Sequence, residues 1–239
     1  MVLPMEWERF LAPCFDLQNF YPKLEKFLGD GENVIPEKGL IFHVFSRITP
    51  GQVRCVLYGE DPYPRITSAN GIAFWDAEIN EWGDRSNGNA LKNILKALLV
   101  AMGQASYRTS IAECRDIAGR IHFFNPSQLF EFWLQQGLFP VNAAMTFSSS
   151  AAKTRHFAFW RPFHAALIHA LNVRGDSPHY VLWGRKAWRW EDEILKSIDQ
   201  PSKIIKQGHP TFIHQFLDAT RPDWSPFQEL QQRTPIKWY

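Results

Sequence analysis

Apolar residues along the chain fall into two alternating patterns. Short runs at Val53–Tyr58, Gly137–Val141, Tyr180–Trp183 and Lys203–Lys206 have the length and content of strands buried in a sheet. Between them lie stretches with apolar residues at helical spacing. Leu91, Ile94, Leu95 and Leu98 mark one within Asn89–Val100, and Phe163–Leu171 is another. Strands alternating with helices imply βαβ units, and the crossovers of a parallel sheet cover both of its faces. The predicted fold is therefore α/β, three layers (α/β/α) around a central, mainly parallel four-stranded sheet. The first fifty residues read as mainly helical and packed outside that sheet. No internal repeat, low-complexity tract or Gly/Ser linker interrupts the chain, so residues 1–239 are expected to form a single domain.

Composition adds limits. Hydrophobic residues make up 45% and charged residues 21% of the chain, values of a folded domain rather than a disordered one. The net charge of +2 does not announce a nucleic-acid binder, so any phosphate-binding surface must come from local clustering. Ten Trp and 19 Phe read chiefly as core, with a minority free to stack on bases. Cys14, Cys55 and Cys114 are widely spaced and form no CxxC pair, which argues against a disulfide framework or a Cys-based metal site and for reduced, buried thiols. The opening MVLPMEWERF has neither a basic leader nor an apolar h-region, and no apolar run approaches membrane-spanning length. A cytoplasmic protein with no membrane partner is the expectation.

Ligands of open parallel sheets bind at the carboxyl ends of the strands. The residues just after the four runs are Gly59-Glu60-Asp61-Pro62-Tyr63-Pro64, then Asn142, then Gly184-Arg185-Lys186, then Gly208-His209-Pro210. An Asp, a Tyr, an Asn and a His thus converge on one rim. Taken singly, each has an ordinary explanation: Asp-Pro and Pro-Tyr-Pro are common in surface turns, Asn often comes after a strand, and a lone His is usually structural. Taken together they suggest chemistry. Two prolines in three positions make a rigid acidic turn. An Asn amide can donate to one atom and accept from its neighbour, which matches a pyrimidine edge carrying a carbonyl beside an N–H. A neutral imidazole can hydrogen-bond a developing anion, and the apolar Phe212-Ile213 tip can wedge into a base stack.

From about Val53 to Tyr239 these pieces resemble the family-1 uracil-DNA glycosylases. Gly59–Pro64 looks like that family's water-activating motif and Gly71-Ile72-Ala73-Phe74 like the segment bearing its stacking Phe. Gln136–Asn142 is similar to the strand that ends in the uracil-reading Asn. Leu182-Trp183-Gly184, His209-Pro210-Thr211 and Thr234-Pro235-Ile236-Lys237-Trp238 also fit. The resemblance implies a monofunctional glycosylase that hydrolyses the N-glycosidic bond of a flipped-out uracil in DNA, leaving an abasic site for base excision repair. Asp61 and His209 would be catalytic. Asp61 would orient water and stabilise positive charge, while neutral His209 would bond the base O2. Phe74 would stack on the base, Asn142 would read O4 and N3–H, and Tyr63 would exclude a C5 methyl; Glu60 would also line the substrate site. Pro64, Ala90, Thr211, Phe212 and Ile213 would touch DNA, with Ile213 filling the vacated stack and Phe212 as its substitute. Lys153, Arg155, Arg161 and Lys206 are candidate phosphate contacts. No metal or other cofactor is implied. The partners implied are uracil-containing DNA, single- or double-stranded, and DNA-mimicking protein inhibitors, with the protein a monomer.

This chain departs from the family pattern in several places. Glu60 stands where most members have Gln, Pro64 where most have His, and Phe212 where most have Pro. Ser86-Asn87-Gly88-Asn89-Ala90 replaces a proline-serine loop, and Trp75–Arg85 is expanded. These changes leave open a glycosylase for a modified pyrimidine, for example in phage DNA. They also leave open a different class, a non-catalytic DNA-binding or replication-platform protein on the same fold.

Overall fold

The computed structural model describes residues 1–29, 34–84 and 88–239. Its strands are β1 (Cys55–Gly59), β2 (Leu138–Asn142), β3 (His179–Trp183) and β4 (Ile204–Gln207), in the spatial order β2-β1-β3-β4. Every pairing is parallel, so the sheet has the parallel form that the pattern predicts. Observed strand ends differ from the expected ones by a residue or two. Lys203, for example, closes a 3-10 turn at Pro201–Lys203 rather than opening β4.

The helices among the described residues are α1 (Met5–Leu11), α2 (Leu17–Leu28), α3 (His43–Arg47), α4 (Asn89–Ala101), α5 (Ile111–Arg120), α6 (Pro126–Gln135), α7 (Lys153–Val173), α8 (Arg185–Trp188), α9 (Glu191–Leu195), α10 (Ile213–Phe216) and α11 (Pro226–Arg233). Alternate strand residues enter two separate cores. Val56, Tyr58, Phe139, Val141, Tyr180 and Leu182 pack with α1, α2, α3 and α7. Cys55, Leu57, Leu138, Val181, Trp183 and Ile205 pack with α4, α5, α6 and α11. That alternation is what a strand covered on both faces requires, and it makes the α/β/α layering explicit. The N-terminal helices lie on one face, as their helical reading implies.

Local signals explain several helix starts. Ser110 with Glu113, Asn125 with Gln128 and Ser225 with Gln228 form capping boxes at α5, α6 and α11, and Pro126 and Pro226 occupy the first helical position, where no N–H is needed. The start of α7 departs from expectation. Apolar spacing predicts a helix from Phe163, directly after Pro162, whereas the observed one begins at Lys153 and runs through that proline. Burial of His156 and Trp160, with Trp160 Nε1 donating to Thr146 Oγ1 at 2.7 Å, outweighs the proline's local cost.

Most aromatic rings are core, as composition suggested. Trp7 stacks on Phe139 at 5.2 Å in one layer, and Trp133 meets Trp238 edge-on at 5.2 Å in the other. All three cysteines are free, but Cys14 is exposed rather than buried, because it lies past the end of α1 instead of on a core face. No helix among the described residues is long and apolar enough to cross a membrane.

Candidate active site

The carboxyl ends of the strands open on a cavity of about 340 Å³, at the lower end of the roughly 300–1,000 Å³ common for small-molecule sites. On one side β1 ends at Gly59, in register with Asn142 at the end of β2. A Cβ on Gly59 would lie 2.4 Å from Asn142 Oδ1, so only glycine lets the Asn amide lie across the strand end. The next turn is pinned to β2, because Ala143 N–H donates to the Gly59 carbonyl and Ala144 N–H to the Glu60 carbonyl, each at 3.0 Å.

The aromatic wall is held just as firmly. Ala73 N–H donates to the Pro140 carbonyl at 3.1 Å, and the Tyr63 hydroxyl donates to the Phe74 carbonyl at 3.1 Å. Phe74 has φ +66, a left-handed conformation that costs on the order of 1–3 kcal/mol and persists where the surroundings enforce it. Its ring edge rests on Trp183 at 5.0 Å. Beneath the loop, Arg65 pairs at 3.0 Å with Asp76, which is 1% exposed.

On the far side, Gly184 comes directly after β3 with φ +86, and a Cβ there would lie 2.7 Å from the His209 Cβ. Thr211 N–H donates to His209 Nδ1 at 3.1 Å. An accepting Nδ1 places the proton of a neutral ring on Nε2. Burial, the largest influence, lowers the His209 pKa; Glu60 opposes this and Lys186 adds to it. The ring is therefore neutral near pH 7. Asn93 on α4 fixes the same loop by donating to the Pro210 carbonyl at 2.7 Å.

A carboxylate network faces that imidazole. Lys153 Nζ donates to Asp61 Oδ1 at 3.1 Å, lies 3.0 Å from Oδ2, and also pairs with Glu60. Lys186 pairs with Glu60 as well. Burial raises the Asp61 pKa, and the Lys153 bond and charge only partly offset it. Burial also acts to raise that of Glu60, but the two lysines more than reverse it, so its pKa is lowered.

Of the residues expected at the site, Glu60, Asp61, Tyr63, Pro64, Phe74, Ala90, Asn142, His209 and Thr211 line this cavity. Phe212 and Ile213 do not. Phe212 is 50% exposed, while Ile213 is partly buried against the core layer containing Trp183. Among the cations read as phosphate contacts, Lys153 lies on the carboxylates, Lys206 pairs with Glu191 at 2.7 Å, Arg155 sits over the Phe27 ring at 4.8 Å, and Arg161 is exposed on α7. Ser86 and Asn87 of the substituted loop, and Arg85 at the end of the expanded region, lie outside the described residues. Sequence reasoning missed the Lys153–Glu60–Lys186 network, the Arg65–Asp76 pair, and the steric roles of Gly59 and Gly184. No sequence signal marked Lys153, because the start of the helix that it opens was itself not evident from the apolar spacing.

Similarity to known proteins points the same way. No family model matches the chain. It is 27% identical over 214 residues to the uracil-DNA glycosylase of Exiguobacterium sibiricum, covering 86% of this chain and 84% of that protein. It is 26% identical to that of Mycoplasma pneumoniae, covering 98% and 90%. Among solved structures, the wild-type UNG of Nitratifractor salsuginis superposes with a TM-score of 0.70 at 26% identity, covering 88% of this chain and 85% of that one. The mimivirus uracil-DNA glycosylase shares the fold with a TM-score of 0.63 at 23% identity, covering 87% and 70%. The architecture is thus the uracil-DNA glycosylase fold, with its cavity at the carboxyl ends of a four-stranded parallel sheet. Over most of its length the chain is similar to uracil-DNA glycosylases, at 26–27% identity.

Proposed function

We propose that the protein is a monofunctional DNA glycosylase that excises uracil from DNA. The observation that carries this reading is the convergence of Asp61, Asn142, Phe74 and His209 on one cavity. The target atom lies inside the duplex, so the base must be flipped into that cavity. Phe74 stacks on it. The Asn142 amide donates to O4 and accepts from N3–H, a pattern that cytosine reverses. Tyr63, fixed by its bond to the Phe74 carbonyl, stands against C5. As the glycosidic bond opens, negative charge grows on the base and His209 Nε2–H donates to O2. Positive charge grows on the sugar beside the Asp61 carboxylate, which also orients the attacking water. Both groups are in place before the bond breaks, which is how preorganised electrostatics lowers a barrier.

Phe212 is the exposed apolar tip of the loop that carries His209, which supports it over Ile213 as the wedge that fills the vacated stack. Pro64, Ala90 and Thr211 at the cavity rim serve the flanking DNA backbone. A single-domain, cytoplasmic monomer fits the chain, and the same rim would accept a protein that mimics DNA.

The test uses matched oligonucleotides carrying one U, T, C or 5-hydroxymethyl-C, as single strands and duplexes, with alkaline cleavage of abasic sites as the readout. Cleavage at U alone, with losses of about 10²-fold or more in Asp61→Asn and His209→Ala, is expected. Cleavage at the modified cytosine but not at U would overturn the roles given to Asn142 and Tyr63. DNA binding without cleavage of any substrate would overturn the enzymatic reading.

A further inference from the structure

Lys153 reaches across the cavity to two carboxylates, and four charges alternate in sign from Lys186 through Glu60 and Lys153 to Asp61. The local sequence argues against a chance contact. Lys153 opens a 21-residue helix with no side-chain cap, so its charge faces the positive end of the helix dipole. The carboxylates are what make that position favourable. The Asp61 side chain is only 15% exposed, so solvent screens the pair weakly.

We infer that Lys153 is a positioning residue: it holds Asp61 ionised and its two oxygens fixed toward the attacking water, while Glu60 holds Lys153 in place. A carboxylate offers about four lone-pair sites, so contact with Lys153 leaves room for water. The charged groups that bear on Asp61 are its neighbour Glu60, Lys153 from α7 and Lys186 from α8, and neutral His209 shares the cavity. Burial and Glu60 raise the Asp61 pKa, Lys153 is the main opposing influence, and Lys186 contributes less. Removal of Lys153 leaves burial and Glu60 nearly unopposed. Lys153 itself stays protonated, because burial lowers its pKa but the two carboxylates more than reverse this.

The inference rests on the glycosylase reading for its catalytic meaning, but not for its measurement. Wild type, Lys153→Gln and Lys153→Arg are compared as full chains, with circular dichroism to establish that each is folded. The Asp61 carboxyl is titrated by carbon-13 NMR, assigned with Asp61→Asn, and kcat is measured against pH on saturating single-stranded uracil DNA. In Lys153→Gln the Asp61 titration and the acid limb of kcat should both move up by about 1–3 pH units, the usual effect of a contacting charge. Lys153→Arg should return both most of the way. At pH values above the shifted limb, Lys153→Gln should regain most of its rate, because Asp61 is then ionised without help. An Asp61 titration unmoved in Lys153→Gln overturns the inference. So does a rate loss that is uniform across pH or confined to KM. If wild type excises no base, the proposed function fails, and the NMR titration still decides what Lys153 does to Asp61.

Discussion

Replacing Gly59 by Ala adds one methyl group where β1 gives way to the acidic turn, and three distances set its effect. The new Cβ would lie 2.4 Å from Asn142 Oδ1, 3.5 Å from Asn142 Cγ and 2.8 Å from the Ala73 Cβ. Gly59 is not in the left-handed region, so alanine meets no backbone penalty and the whole effect is steric. Ordinary contact begins near 3.4 Å, which requires the amide oxygen to retreat by about 1 Å. Ala73 cannot yield in its place, because its N–H is bonded to the Pro140 carbonyl of β2. A misplacement of about 1 Å in a recognition group costs on the order of 10²-fold in rate, whereas overpacking of one methyl costs about 1–3 kcal/mol of stability. In a chain of this size that is about 2–4 °C of Tm per kcal/mol.

The assay is kcat/KM on single-stranded uracil DNA, run beside a thermal melt and an Asn142→Ala control. Gly59→Ala should lose about 10²-fold in kcat/KM while remaining folded at the assay temperature. Added to Asn142→Ala, it should cost little more, because two changes acting through one contact are not additive. A folded Gly59→Ala with wild-type kcat/KM would refute the argument that the amide's position sets uracil recognition. So would a double variant in which the two losses multiply.

Gly184→Ala sets a side chain at φ +86 and ψ 161, a region essentially confined to glycine, and 2.7 Å from the His209 Cβ; it should cost about 1–3 kcal/mol in backbone strain and lower kcat more than it raises KM, read from steady-state kinetics beside a melt. Phe212→Ala removes the exposed tip and should lower kcat/KM on duplex uracil DNA by about tenfold, equivalent to about 1.4 kcal/mol of unstacking support, with single-stranded substrate affected less; an equal loss on both would exclude the wedge role. His164 is buried, and burial lowers its pKa to about 3, while an unfolded His titrates near 6.5. The unfolded chain therefore binds a proton that the folded chain refuses, so this contribution is fully present above about pH 6.5 and declines as pH falls toward 3, by at most about 1.4 kcal/mol per unit. His164→Phe should flatten that part of the slope in urea titrations at pH 7 and pH 5, and an unchanged slope would mean that His164 is not its source.

The strands and the rim were legible because both depend on short-range pattern. Apolar runs such as Val53–Tyr58 and Tyr180–Trp183 have the length and content of buried strands, and topology then sends Asp61, Asn142 and His209 to the same end. The start of α7 was not legible, because the local veto of Pro162 is visible in sequence and the burial of His156 and Trp160 is not. The fate of the cations was hidden for a similar reason: a solvated lysine and a paired one read alike, and Lys153 meets Asp61 across 92 positions of chain. The same blindness affected Glu60. Taken alone, it places a negative charge beside a largely buried carboxylate and should weaken the ionisation of Asp61. With Lys153 and Lys186 in contact, the added charge arrives already compensated, and Glu60 becomes the group that orders a cation against Asp61. Glu60 and Lys153 are therefore one unit in physical terms. A carboxylate at 60 is tolerable next to Asp61 only when a cation comes with it, and a cation at the start of α7 is tolerable only when it has carboxylates to face.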